Sequence, residues 1–251
     1  MNWKEIKLRE KERLDDLIHA ELKIIQSQDY FAFSIDAVLL ADFVTAKAGA
    51  KVIDLGTGCG VIPLLLAAQG AAKDIVGVEI QSELADMASR SVSYNNLEEL
   101  IEIKNLDIRG LKTEYEAESF DVVLSNPPYL PLGQGKVSSK RSIAVAKHEV
   151  ELKLEQLVEI SAYLLKYGGE VCYIYRSVRL TELLEQLAAY NLEPKTLRLV
   201  YPNLEAEANL VLVKAVKGAN KGLEVAKPLL IYEADGSYTE ELLQIYYGEN
   251  Y

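Results

Sequence analysis

Four consecutive residues, Asn126, Pro127, Pro128 and Tyr129, end the apolar run SFDVVLSNPPYL at 119–130. The Asn126 side-chain oxygen and the Pro127 carbonyl are two acceptors, and proline fixes φ and brings no competing N–H. Two acceptors at the two N–H bonds of a planar, conjugated amine favour a pyramidal nitrogen. Its lone pair can then attack a carbon. Tyr129 adds a flat face on which a base can stack, an interaction of ~1–3 kcal/mol. Positioning and electrostatics carry such a reaction, with no metal and no covalent intermediate. The bland alternative is a strand-ending turn punctuated by proline.

A second cluster lies upstream. In DLGTGCG, Asp54 precedes Gly56, Gly58 and Gly60. Glycines let backbone approach a ligand closely, and a helix start offers unpaired N–H groups. The spacing is G-x-G-x-G rather than the dinucleotide pattern G-x-G-x-x-G. A carboxylate so near the glycines opposes a pyrophosphate and suits a cation such as an amino-acid ammonium. Glu79 and Asp107 end two further apolar runs. An acid at such a strand end can take the hydroxyls of a ribose.

The elements that must position these groups alternate. KVIDL (51–55), DIVGVEI (74–80), LIEIKNLD (100–107), FDVVLS (120–125) and EVCYIYR (170–176) read as strands. Helical spacing separates them, at 61–70, from Ser82 onward, at 152–169 with Gly168–Gly169 as its stop, and at 178–191. A weak helix or loop covers 108–118. Two closing strands, 195–202 and 209–216, have a short connector that suggests an antiparallel end. The expected fold is α/β, Rossmann-like and doubly wound, with a mainly parallel seven-stranded sheet, an antiparallel last strand and helices on both faces. Residues 1–48 read as a helical segment on the core, 49–217 as the core, and 218–251 as a tail folding back. In such a sheet, ligands bind outside the C-terminal strand ends, where Asp54, Glu79, Asp107 and Asn126 all fall.

VIDLGTGCG, GVE and NPPY together resemble a class I S-adenosylmethionine-dependent methyltransferase of the amino-methylating group. LKIIQSQDYFAFSIDAVLLADF (22–43), VGVEIQSELADMASRSVSYN (76–95) and LEPKTLRLVYP extend the resemblance over nearly the whole chain, to the bacterial tRNA(Val) adenine-N6 methyltransferases. The resemblance implies that Asp54, Gly56, Gly58 and Gly60 cradle the methionine part of the cofactor. It implies that Glu79 holds the ribose, Asp107 reads the cofactor adenine amine, and Phe33 to Asp36 close over the methionine end. Asn126, Pro127 and Tyr129 become the catalytic residues. No chemistry is assigned to Cys59, which has no evident activating partner.

Composition bounds the partners. The 251 residues carry a net charge of −11, which by itself argues against a nucleic-acid partner. The charge is polarised. Lys136, Lys140, Arg141 and Lys147 lie in an acid-free segment, 127–148, and with His148 they form a candidate nucleic-acid rim. Arg176 and Arg179 are further phosphate candidates. The last twenty residues hold five acids and no base. Two cysteines form no disulfide or metal framework, His19 and His148 are far apart, and no stretch is long and apolar enough to span a bilayer. A cytoplasmic protein with no metal and no membrane partner is expected; monomer and homodimer both fit. The preferred reaction is methylation of the N6 amine of an adenine beside a tRNA anticodon, where flipping an already unstacked base costs little. NPPY also suits glutamine-N5 methylation of release factors, though the usual upstream helical domain is missing. A non-catalytic binding module is the third alternative.

Overall fold

The computed structural model describes residues 6–17, 22–30, 33–70, 72–127 and 152–248. The chain begins with β1 (Glu12–Leu17), β2 (Leu22–Ser27) and α1 (Ile35–Phe43), followed by β3 (Ala50–Leu55) and α2 (Val61–Gln69). Next come β4 (Ala72–Glu79), α3 (Ser82–Tyr94), β5 (Ile101–Asn105), a 3-10 turn (Ile108–Gly110) and α4 (Leu111–Glu114). The second half supplies β6 (Phe120–Ser125), α5 (Leu154–Leu164), β7 (Leu165–Arg176), α6 (Leu180–Ala189), β8 (Leu192–Tyr201) and β9 (Leu210–Lys217). Two short strands, β10 (Glu224–Val225) and β11 (Leu229–Leu230), precede α7 (Glu240–Tyr247).

Seven main strands lie in the order β8-β9-β7-β6-β3-β4-β5, and both β10 and β11 pair with β8. Strands β5, β4, β3, β6 and β7 run parallel, and β9 is antiparallel to β7 and β8. This is the doubly wound sheet that the alternation predicts, with two short strands added by the tail. Both faces are covered. In β3, Val52 joins a core with α1, α2 and α3, whereas Ile53 and Leu55 join the core built with α5 and α6. Strands buried on both sides read as near-continuous apolar runs, and that is why they are legible. The chain winds one way from β3 to β5 and the other way from β6 to β7. Adjacent β3 and β6 therefore flank the switch point, where α/β sheets open a crevice.

The expectation of helix through 1–48 is corrected over its first half, where β1 and β2 form an antiparallel hairpin. The reason is non-local. The free edge of β2 is satisfied by groups on and just beyond α3. Ile25 N–H donates to Ser91 Oγ (2.9 Å), Lys23 N–H donates to Asn95 Oδ1 (2.9 Å), and Asn95 Nδ2 donates to the Lys23 carbonyl (2.7 Å). Residues one helical turn apart can meet one edge strand in this way. Arg90 adds an ion pair to Glu12 (2.6 Å) and, chiefly by that hydrogen bond, holds its carboxyl below the usual range. The helix expected at 152–169 ends at Leu164. Gly168, at φ +76°, lies inside β7 instead of stopping the helix.

Candidate active site

Asp54, one residue before the end of β3, is fully buried, and alternation places it on the Val52 face. Among the described residues, neither of its carboxylate oxygens nor the buried Thr57 hydroxyl nearby has a partner at full hydrogen-bond geometry. Burial pushes the Asp54 carboxyl up to about 7, against the pull of the close Thr57 hydroxyl, and the Glu79 carboxylate adds to the rise. A buried polar group without a partner calls for an explanation. A cationic ligand held at the turn supplies one.

Gly56, Gly58 and Gly60 take φ of +83°, +58° and +86°, a left-handed turn that side chains disfavour. A Cβ on Gly60 would also lie 3.0 Å from Ala88 Cβ, so the turn seats tightly on α3. By contrast, the space where a Cβ on Gly56 or Gly58 would project is open. Part of the turn's own backbone is satisfied internally. The N–H groups of Gly56 and Thr57 donate to the Val78 carbonyl (both 2.9 Å), that of Gly58 to Glu79 Oε2 (2.9 Å), and that of Gly60 to the Thr57 carbonyl (3.0 Å). A turn whose glycine N–H groups are so engaged offers little to an anion. With Asp54 behind it, it suits a cation.

Glu79 ends β4, and its other oxygen accepts from Gln81 N–H (2.8 Å). Its carboxyl is raised by burial, against the pull of these backbone donors. Two carboxylate oxygens offer about four acceptor sites, so Glu79 retains capacity beyond the Gly58 and Gln81 N–H groups. Asp107 follows β5 at the same edge, but Arg109 engages it. Oδ1 accepts the Arg109 backbone N–H (2.8 Å) and Oδ2 accepts Nη2 (2.6 Å), so the guanidinium holds its carboxyl below the usual range. Arg179 is likewise committed, to Glu182 (2.6 Å) and to the Tyr175 ring at 5.0 Å; Arg176 is exposed.

Asn126 is half-buried at the end of β6, and Pro127 is buried. Pro128, Tyr129 and the candidate rim of Lys136, Lys140, Arg141, Lys147 and His148 lie outside the described residues. Sequence reading missed the clasp across the switch point. Buried Ser125 donates its hydroxyl to the Leu55 carbonyl at 2.6 Å, which ties the residue before Asn126 to the residue before Gly56. Its only sequence signal is a serine inside an apolar strand end. Ser125→Ala is expected to cost about 1–3 kcal/mol of stability. It should also lower kcat more than cofactor affinity, in melting and steady-state assays. Unchanged kcat would remove its positioning role.

The hairpin also reaches this region. Buried Gln26 accepts the Phe33 N–H at 2.9 Å and donates to Asp15. Asp36 sits half-buried in the first turn of α1. Burial pushes the thiols of Cys59 and Cys172 to about 12, which leaves both inert at neutral pH. Among the described residues, no cluster of three or more His, Cys, Asp or Glu is arranged for a metal, and no helix is long and apolar enough to cross a membrane.

The methyltransferase small domain model matches residues 32–188. The chain belongs to this methyltransferase family. A relative from Aeromonas hydrophila subsp. hydrophila, named tRNA1(Val) (adenine(37)-N6)-methyltransferase, is 29% identical over 211 residues, 84% of this chain and 86% of its own. A relative of the same name from Shewanella halifaxensis is 30% identical over 217 residues, 82% of this chain and 87% of its own. In fold, the methyltransferase resembles the crystal structure of a predicted O-methyltransferase from Agrobacterium tumefaciens. That match has a TM-score of 0.68 and 24% identity, and it covers 85% of this chain and 96% of the other. The resemblance read from the sequence holds at the level of family and fold.

Proposed function

We propose that this methyltransferase transfers a methyl group from S-adenosylmethionine to the N6 amine of an adenine next to the anticodon of a tRNA, the valine tRNA by likeness to its relatives. The observation that carries the reading is similarity to relatives of that activity across 82–84% of the chain. The buried Asp54 carboxylate, with no partner at full hydrogen-bond geometry among the described residues, beside a turn whose glycine N–H groups are engaged, supports the cofactor assignment.

When bound, S-adenosylmethionine supplies an electrophilic methyl on sulfur. Asp54 and the open side of Gly56 and Gly58 hold the cationic amino-acid end, and Gly60 lets the turn seat on α3. Glu79 keeps acceptor capacity for two ribose hydroxyls while its backbone bonds fix it. Asp107 takes the cofactor's adenine amine, and the residues from Phe33 to Asp36 close the methionine end. Asn126 and Pro127 offer acceptors to the target amine, Tyr129 offers the stacking face, and the basic rim holds phosphates. Residues 1–48, 49–217 and 218–251 then serve as cover, catalytic core and returning tail. The setting is the cytoplasm.

The experiment is mass mapping of modified nucleosides in tRNA from cells with and without the gene. Loss of N6-methyladenosine from one tRNA anticodon loop is expected. An unchanged tRNA profile together with an undermethylated release-factor glutamine would replace this reading with the glutamine-N5 one.

A further inference from the structure

The returning tail builds a feature that the reaction as described does not use. Beyond β11, Ile231 N–H donates to the Tyr201 carbonyl (3.0 Å) and Tyr232 N–H to the Pro202 carbonyl (2.8 Å), which brings the tail to the C-terminal end of β8. Tyr232 and Tyr238 face each other as an antiparallel bridge, and the turn between them is closed by Glu233 N–H donating to the Ser237 carbonyl (2.8 Å). Thr239 caps α7 by accepting from Leu242 N–H (3.2 Å) and ties it down by donating to the Leu230 carbonyl (2.7 Å). Leu242 and Ile245 anchor α7 in the core shared with α1.

The result is a rigid ladder of rings. Tyr232 and Tyr238 stack at 5.3 Å with 21° between planes, Tyr238 and Tyr246 stack at 6.5 Å and 9°, and Tyr247 follows at 6.3 Å, tilted. Tyr232 and Tyr238 remain 40% and 49% exposed. The ladder reaches the cofactor side of the molecule. Burial raises the Tyr246 hydroxyl, and Tyr238 and then Asp36, in the first turn of α1, add to the rise. An exposed aromatic stack on the catalytic edge of the sheet is suited to rings presented from outside. Residues 232–251 contain five acids and no Lys or Arg, and Arg198 beside α7 is paired with Glu241. A surface of that sign repels a phosphate backbone, while stacking on a neutral ring is indifferent to it.

We infer that the Tyr232–Tyr238–Tyr246 ladder is a stacking platform for unpaired nucleobases of the substrate RNA that flank the target adenine. The inference rests on the proposed RNA substrate. It divides the work between two surfaces, with phosphates held elsewhere and bases held here. Single-stranded loops, with bases free to splay onto aromatic side chains, are the RNA elements such a platform can read.

The test uses full-length protein, an unmodified tRNA transcript and steady-state methylation, with Tyr232→Ala, Tyr238→Ala and the corresponding Phe variants. Each Ala variant is expected to raise the KM for RNA about tenfold and to change kcat far less. The KM for S-adenosylmethionine stays put, and Phe restores the KM for RNA. Because stacking is not ionic, the tenfold ratio should be the same at about 50 and 200 mM salt. Sedimentation and melting of each variant accompany the kinetics. Wild-type KM values in the Ala variants would overturn the platform, as would a loss that vanishes at high salt or a loss explained by a broken dimer. A wild-type enzyme inert on every tRNA would instead sink the RNA reading itself, and the platform with it.

Discussion

Asn126→Ala is expected to lower methyl transfer by about 10³-fold, on the scale of removing one preorganised hydrogen-bonding group from a reaction centre. S-adenosylhomocysteine should bind nearly as tightly as before. The asymmetry follows from position. Asn126 follows β6, across the switch point from the glycine turn after β3, and the N–H groups of Gly56, Thr57 and Gly58 are held by the end of β4. The amine of an adenine is a poor nucleophile because its lone pair is shared with the ring. In the proposed mechanism the Asn126 oxygen and the Pro127 carbonyl act only as that amine becomes pyramidal, so their loss is expected to fall on kcat rather than on cofactor affinity. Single-turnover transfer from labelled cofactor, paired with calorimetry, separates the two. A near-normal rate in the alanine variant would remove Asn126 from the mechanism.

Asp54→Asn is expected to act oppositely on stability and on binding. Burial raises the Asp54 carboxyl from 3.8 to about 7 in the folded protein. Between those values the native state keeps a proton that the unfolded chain releases. Stability therefore falls as pH rises from about 4 through about 7, by roughly 4 kcal/mol for this group alone, and flattens above. The raised Glu79 carboxyl contributes in the same direction. Asp54→Asn should lose most of that slope and melt higher than wild type near pH 8. A cationic ligand beside Asp54 favours the ionised form, so S-adenosylhomocysteine binding near pH 6 should release a proton from wild type. The asparagine variant should release none and bind more weakly. Calorimetry in buffers of different ionisation heat reads the proton, and a variant with wild-type proton release would contradict the assignment.

The parts of the fold that could be read in advance are those whose cause is local. KVIDL and FDVVLS are mostly apolar on both alternating faces because β3 and β6 are buried on both sides, and glycine or proline marks where they stop. The hairpin of β1 and β2 escaped because its decisive partners, Ser91 and Asn95, lie 66 and 72 residues away and look like ordinary helix polar groups. The same holds in the site. Asp54 and Glu79 stand out as acids ending apolar strands, but Ser125 and Gln26 do their work through backbone partners that no spacing rule names. The glycine turn hides contacts of the same kind: β4 places the Val78 carbonyl and the Glu79 carboxylate where they take up the N–H groups of Gly56, Thr57 and Gly58. For Asp107 the competing partner was in plain view two residues on, at Arg109.

The central claim is that the crevice between the glycine turn and the end of β6 places a methyl donor against the amine of an RNA adenine. Purified protein, methyl-labelled S-adenosylmethionine and an unmodified valine tRNA transcript test it in one tube, read by nuclease digestion and mass spectrometry. The account predicts label as N6-methyladenosine in the anticodon-loop fragment and in no other. Label absent from the RNA, or carried on a ring nitrogen or a ribose hydroxyl, would contradict it.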